Sequence, residues 1–228
     1  MPNTLIIDTS SAYCSLAAAT AHGRVEVVHE HLGRRHNEAL LPLLDKLMRS
    51  CELAVADLEV VGFGCGPGSF TGVRIAASAI QAIAAVSQAR VVPLSGPEML
   101  ALSAPQDVHA LRVSVIHSRA DAYYIAAFTR QDSHTTPWHM THPAQLCSQP
   151  PEWWPEVVAQ GTSVAGPQPD WMATAEFPSS WHVDAVPDAQ MALGVVQARY
   201  ALGMAVEAAE ALPVYLAADS PWQKVVPA

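Results

Sequence analysis

The chain has 228 residues, half of them hydrophobic and 14% charged, with 12 Lys and Arg against 21 Asp and Glu for a formal charge of −9. That composition supports a substantial core and excludes a disordered chain. The acidic balance excludes broad nucleic-acid binding, DNA included, and leaves only a local basic patch around Arg24, Arg34, Arg35 and His36.

The four cysteines, Cys14, Cys51, Cys65 and Cys147, stand far apart without a CxxC pair, which suits reduced, buried thiols rather than a disulfide set or a zinc knuckle. Met1-Pro2-Asn3-Thr4 carries no basic side chain and leads straight into Leu5-Ile6-Ile7, unlike a signal peptide, so a cytoplasmic location is expected. The longest apolar stretch, Ala76 to Val86 with Ser78 and Gln81 inside it, falls short of a membrane span.

In chain order, Leu5–Ile7 predicts a first strand and Asp8-Thr9-Ser10-Ser11 a polar turn. Cys14–Ala19, a turn at His22-Gly23 and Val25–His29 complete an antiparallel meander. From about His36 to Met48, Leu40, Leu43, Leu44, Leu47 and Met48 recur at helical steps, and Pro42 predicts that the helix begins near it or bends there. Leu58–Gly64 is a fourth strand, Val73–Val86 an alanine-rich helix, Val91–Leu94 a fifth strand, and Gly96-Pro97 opens a helix to about Ala104. This order implies an α/β layer with helices covering a mixed sheet.

Beyond Pro105 the composition changes. Leu111–Ile116 and Tyr123–Thr129 predict two strands around the polar hairpin His117–Asp121. Thr135–Ser180 is rich in proline and tryptophan and predicts irregular structure with one strand near Thr162–Ala165. Asp188 to about Ala211 predicts a long helix with Ala189, Ala192, Val196 and Arg199 on one face, and Pro213–Leu216 a last extended piece. No internal repeat is visible.

Two segments carry candidate chemistry. Between Gly62 and Gly72, five glycines and a proline fall in eleven positions directly before a helix. Such a turn either cradles an anion on the helix N-terminus, near Ser69 and Thr71, or lets two backbones approach closely. No Gly-Lys-Ser/Thr follows, so it is not a P-loop. Asp8-Thr9-Ser10-Ser11 either positions a magnesium-bound phosphate or a water, or forms an ordinary hydroxyl-capped turn. Ser10, Ser69 and Thr71 are candidate hydroxyls with no histidine tied to them, and the ten histidines, His29, His31, His36, His139 and His142 among them, form no convincing metal set.

Ile7-Asp8-Thr9-Ser10, His36 with Leu40-Leu41-Pro42, the string Gly66-Pro67-Gly68-Ser69-Phe70-Thr71-Gly72-Val73-Arg74-Ile75, and Pro213–Leu216 before Trp222 and Lys224 together resemble the TsaB/YeaZ family. The resemblance is strong over residues 5 to about 100 and patchy beyond. It implies a two-lobed, actin-like and sugar-kinase-like ATPase fold with mixed sheets flanked by helices. One lobe would be residues 1–104, joined by roughly 212–228, and the other residues 105–211.

The implied role is that of a non-catalytic partner of the paralogue TsaD, which with the ATPase TsaE transfers a threonylcarbamoyl group to an adenosine beside the tRNA anticodon. The chain itself would then hold no cofactor firmly, its partners would use ATP and magnesium, tRNA would be met only indirectly, and the chain alone would form a homodimer. The resemblance further implies a partner surface on His36, Leu40, Leu44, Leu47, Ala76, Ala79, Ile80 and Ile83, and a residual anion or nucleotide site on Asp8, Thr9, Ser10, Gly66, Gly68, Ser69 and Thr71. Departures from the family pattern fall at Ala76, Ser78 and Ala82, where glycines are usual, at His117 and Ala122, where carboxylates are usual, and at Ala217 in place of arginine. Two other classes stay open: an active ATPase or phosphotransferase using Asp8, Thr9 and the glycine turn, and a metallopeptidase.

Overall fold

The computed structural model describes residues 1–106, 108–119, 121–172 and 180–216. Strand β1, Thr4–Asp8, is buried along its whole length, as a near-continuous apolar run requires when both faces of a sheet are covered. It pairs antiparallel with β2, Tyr13–Ala19, and parallel with β4, Val60–Gly66. Strand β3, Val25–His31, forms one edge beside β2, and β5, Arg90–Ser95, lies beyond β4.

Strand alternation divides the core. Leu5 and Ile7 join Leu16, Val61 and Phe63 under helices α1, His36–Ser50, and α2, Phe70–Ser87. Ile6 faces the other way, toward Ala17, Val92 and the later helix α5, Ala189–Ala201. Helix α1 passes through Pro42, which is exposed. Leu40 before it and Leu44, Leu47 and Met48 after it are all buried against the sheet, so packing outweighs the interior proline cost of about 3 kcal/mol. Helix α2 has the length and apolar composition of a membrane span, but its buried face of Val73, Ala76, Ala77, Ile80, Ile83 and Ala84 closes the first sheet. All four cysteines are free and buried.

The second sheet repeats the first. Strands β6, Leu111–Arg119, and β7, Ala122–Arg130, are antiparallel neighbours; β8, Trp138–Cys147, forms an edge beyond β7. Strands β9, Thr162–Ala165, and β10, Ser180–His182, add on in parallel beyond β6. The orders β3-β2-β1-β4-β5 and β8-β7-β6-β9-β10 are the same arrangement built twice. Helix α3, Gly96–Ser103, follows β5, and α5 follows β10 in the same way.

These two helices are exchanged between the halves. Leu100, Ala101 and Ala104 at the end of α3 pack with Phe128, Trp138 and Ala165 of the second half, while α5 packs on the first sheet. Buried Arg112 on β6 donates to the carbonyls of Ala101 (2.7 Å), Ala104 (3.1 Å) and Pro105 (2.6 Å). Arg199 on α5 pairs with Glu98 on α3, each side chain only 13% exposed.

Two sequence expectations need correction. The segment 135–180 holds more than one strand: β8 alternates half-buried Met140, His142, Ala144 and Leu146 with exposed His139, Thr141, Pro143 and Gln145. Pro143 is tolerated because β8 is an edge strand, and a short helix α4, Trp154–Ala159, follows it. The last helix ends at Ala201 rather than 211, where Gly203 turns at φ 70° and the Met204 N–H returns to the Arg199 carbonyl at 2.9 Å. Val206 then bridges to Val91 on β5, and Ala189, Ala192 and Val196 of α5 pack with Ile6 and Val92.

Candidate functional site

The ends of β1 and β4 meet in a closed pair of turns. Thr9 Oγ1 donates to the Gly72 carbonyl at 2.7 Å, and the Ser69 N–H donates to the Ser10 carbonyl at 2.7 Å. Ser69 caps α2 by accepting from the Gly72 N–H at 3.3 Å. A Cβ on Gly72 would lie 1.8 Å from the Thr9 carbonyl oxygen, so glycine is required there for close approach of two backbones. The glycine run therefore seals two turns together.

Asp8 lies inside this seal and is fully buried. Its Oδ1 accepts from Ser10 N at 3.0 Å and Ser10 Oγ at 3.0 Å, and Oδ2 lies 3.1 Å from the same hydroxyl. Gly64 makes room for the carboxylate, since a Cβ there would sit 1.8 Å from Oδ2. Burial pushes the Asp8 carboxyl up to about 6, against the opposing pull of the Ser10 hydrogen bonds and the charge of His29. Both Asp8 oxygens are engaged within the protein. Among the described residues no three His, Cys, Asp or Glu side chains converge as metal ligands.

A cavity of about 1080 Å3 opens beside the seal, between the two halves. Its first wall is Ser10–Tyr13, His31, Arg34 and Gly68–Thr71; its second is Val115–Arg119, Tyr124, Pro167 and Val183–Pro187. The first wall follows β1, β3 and β4, and the second joins the end of β6 to the segments after β9 and β10, at strand carboxyl ends, where open α/β sheets place ligands. Phe70 and Tyr215 stand at the rim: Arg74 lies 3.8 Å over the Phe70 ring and donates to the Tyr215 hydroxyl at 2.9 Å. The Val214 N–H meets the Cys65 carbonyl at 2.7 Å, fixing residues 212–216 to the first half. Ala217, Trp222 and Lys224 lie outside the described residues.

The seven residues expected around an anion thus divide. Ser10, Gly68, Ser69 and Thr71 line the cavity, whereas Asp8, Thr9 and Gly66 lie in the packed turns behind it. The basic patch also breaks up: Arg24 pairs with Glu26 and Glu52 at 3.2 and 3.0 Å, and buried His36 bonds the Tyr13 carbonyl at 3.1 Å. Arg34 remains, on the cavity wall opposite His117 and Arg119. No motif marks Tyr13 or ties it to His31 and Tyr124, because nothing in their spacing shows that strands about a hundred residues apart border one cavity.

The residues expected on a partner surface turn largely inward. His36, Leu40, Leu44, Leu47, Ala76, Ile80 and Ile83 are buried within the chain, and Ala79 is half-buried. Their helical spacing marks the face turned to the sheet. The outward faces of the same helices carry Leu41, 66% exposed, with Asp45 on α1, and Arg74, Ser78, Ala82, Ala85 and Val86, the last 69% exposed, on α2.

Comparison with known proteins agrees with this architecture. Residues 19–136, just over half the chain, match the family described as TsaD: tRNA N6-adenosine threonylcarbamoyltransferase. The chain is 27% identical to the tRNA threonylcarbamoyladenosine biosynthesis protein TsaB of Haemophilus influenzae, over 97% of this chain and 96% of that one. It is also 27% identical to the protein of the same description from Escherichia coli, over 97% of each. The solved structure of YeaZ from Pseudomonas aeruginosa superposes with a TM-score of 0.82 at 28% identity, covering 95% of this chain and all of that one. A duplicated two-sheet fold matched along nearly its whole length to TsaB and YeaZ places the chain in the TsaD family, among its TsaB/YeaZ members.

Proposed function

We propose that this chain is the non-catalytic partner subunit of a tRNA threonylcarbamoyladenosine transferase and acts by binding a TsaD paralogue. The observation that carries the reading is the near-complete alignment with TsaB proteins, 97% of this chain against 96% and 97% of two relatives. The buried Asp8, held at both oxygens by Ser10, supports it, since a strand-end carboxylate in that state is not presented to a ligand. The chain holds no cofactor firmly in this reading; ATP and magnesium are used by TsaD and TsaE, and tRNA is reached through the complex in the cytoplasm.

The docking surface is the outer side of α1 and α2, with Leu41, Ser78, Ala82 and Val86 in place of the buried residues first expected. Small residues on α2 let a partner helix approach closely, and Leu41 and Val86 supply exposed apolar area. The same face joins two copies when TsaD is absent. The lobes divide as residues 1–95 with the segment from Ala189 to Leu216, against residues 96–188, since the end of α3 packs on the second sheet and α5 on the first.

Light scattering on the purified chain, alone and with the TsaD of the same cell, tests the proposal, with ATP and magnesium added in parallel. The expected result is a defined heterocomplex and no ATP hydrolysis by the chain alone. Failure to associate, together with nucleotide turnover by the single chain, would overturn it in favour of an active ATPase.

A further inference from the structure

A polar row crosses the first sheet on the face covered by α5. Asp8 on β1 stands opposite Ser15 on β2, and Ser15 stands opposite His29 on β3. The row runs from full burial to solvent: Asp8 and Ser15 are fully buried, and His29 is exposed on the edge strand. Ser15 Oγ is its node. It accepts from the Ala189 N–H at 2.8 Å, and it lies 2.9 Å from His29 Nδ1 and 3.4 Å from Asp188 Oδ1. Asp188 is the N-cap of α5, and its Oδ1 also accepts from the Gln190 N–H at 2.9 Å. Its own N–H donates at 2.7 Å to the hydroxyl of Ser103, the last residue of α3. The two helices exchanged between the halves are thus joined one hydroxyl away from an exposed imidazole.

A hydroxyl has one proton to donate and two lone pairs to fill. With His29 neutral and Nδ1 unprotonated, the imidazole takes the Ser15 hydrogen bond and the more distant Asp188 carboxylate goes without it. Once His29 is protonated, Nδ1–H donates to Ser15 instead, and the hydroxyl is free to turn its proton to Asp188. Ala189 N–H and His29 then fill both lone pairs, so every site on the hydroxyl is used. The titratable groups facing His29 are Asp8 from β1, Asp188 from the segment before α5, Tyr13 from β2, stacked on it at 4.9 Å, and His31 from β3, edge-on to the same tyrosine at 5.0 Å. Arg199, the one charged residue of α5, is turned to Glu98. We propose that His29 is a pH-dependent latch on the contact between α3 and α5: its protonation turns the Ser15 hydroxyl to Asp188 and tightens the junction of the two halves. Val183–Pro187, directly before Asp188, wall the cavity between the halves, so the latch sets how firmly that wall is held. The latch stands apart from the docking of TsaD on α1 and α2.

Amide hydrogen exchange of the full chain at about pH 5 and about pH 8, read by NMR as protection factors, tests the latch, and imidazole nitrogen shifts report the state of His29. In the neutral form His29 carries its proton on Nε2. On protonation the protection of the Ala189 and Gln190 amides rises about fivefold relative to the amides of β4. The rise is absent in His29→Gln and in Ser15→Ala. It persists in Asp8→Asn, which removes the buried carboxyl titrating near 6 on the same face. His29 is exposed, so His29→Gln keeps the test decisive should Ser15→Ala misfold. The proposal is overturned if neutral His29 holds its proton on Nδ1, if protection is unchanged or falls on protonation, if the rise survives His29→Gln, or if Asp8→Asn abolishes it.

Discussion

Replacing Asp8 by asparagine should remove a specific pH dependence of stability. Burial raises the Asp8 carboxyl from 3.8 to about 6, and a shift of this size corresponds to about 3 kcal/mol. Between these two values the folded chain holds a proton that the unfolded chain has released. The stabilisation is therefore present at low pH and lost as pH rises through 6. Asparagine keeps an acceptor for the Ser10 N–H, and its amide can donate to the Ser10 hydroxyl, so the turn survives without titrating. In urea unfolding followed by circular dichroism, the stability of wild type relative to Asp8→Asn should fall by about 2 kcal/mol between pH 4.5 and 7.5. A flat difference, or one that rises with pH, would refute the reasoning. It would mean that Ser10 and His29 outweigh burial and hold the group ionised.

Gly72→Val should lower stability by about 3 kcal/mol or more, because its Cβ meets the Thr9 carbonyl; an unchanged melting temperature counts against the sealed turn. Leu40→Asp should prevent folding, whereas Leu41→Asp, on the outer face, should leave the melt intact and weaken association with TsaD in light scattering. Full affinity in the soluble Leu41→Asp protein would remove α1 from the docking surface. Glu98→Gln leaves the Arg199 guanidinium without its carboxylate at the contact of α3 with α5, and should cost about 2 kcal/mol in urea unfolding. A loss below about 0.5 kcal/mol would class the pair with surface ion pairs.

Where the local pattern was strong, the fold was legible in the sequence. Leu5–Ile7 marked β1, and the three- and four-residue spacing of Leu40, Leu44 and Leu47 marked α1 despite Pro42. Strand β8 was missed because prolines obscured a period of two that an edge strand tolerates. The end of α5 was misplaced because alanine after Gly203 continues helical propensity while tertiary pairing of Val206 with Val91 overrides it. The duplication left no sequence trace at all: burial patterns and strand pairing preserve a topology without preserving residues. For the site, the glycine string identified the turn but not its partner, and the cavity wall depends on which distant turns the second sheet brings across.

The residues named for a partner surface are largely buried for a physical reason that also applies beyond this chain. Apolar residues at helical intervals record the face that desolvates during folding, and in a helix laid on a sheet that face belongs to the chain's own core. A docking surface on the same helix must occupy the remaining arc, where it stays compatible with solvent before the partner arrives and so lacks a strong pattern. Here Leu40 and Leu41 are adjacent in sequence yet lie on opposite sides of that division. The sealed turn fixes the arc's orientation: Thr9 to Gly72 and Ser69 to Ser10 tie the first turn of α2 to the end of β1. The glycine string thus contributes rigidity to α2 rather than a ligand cradle.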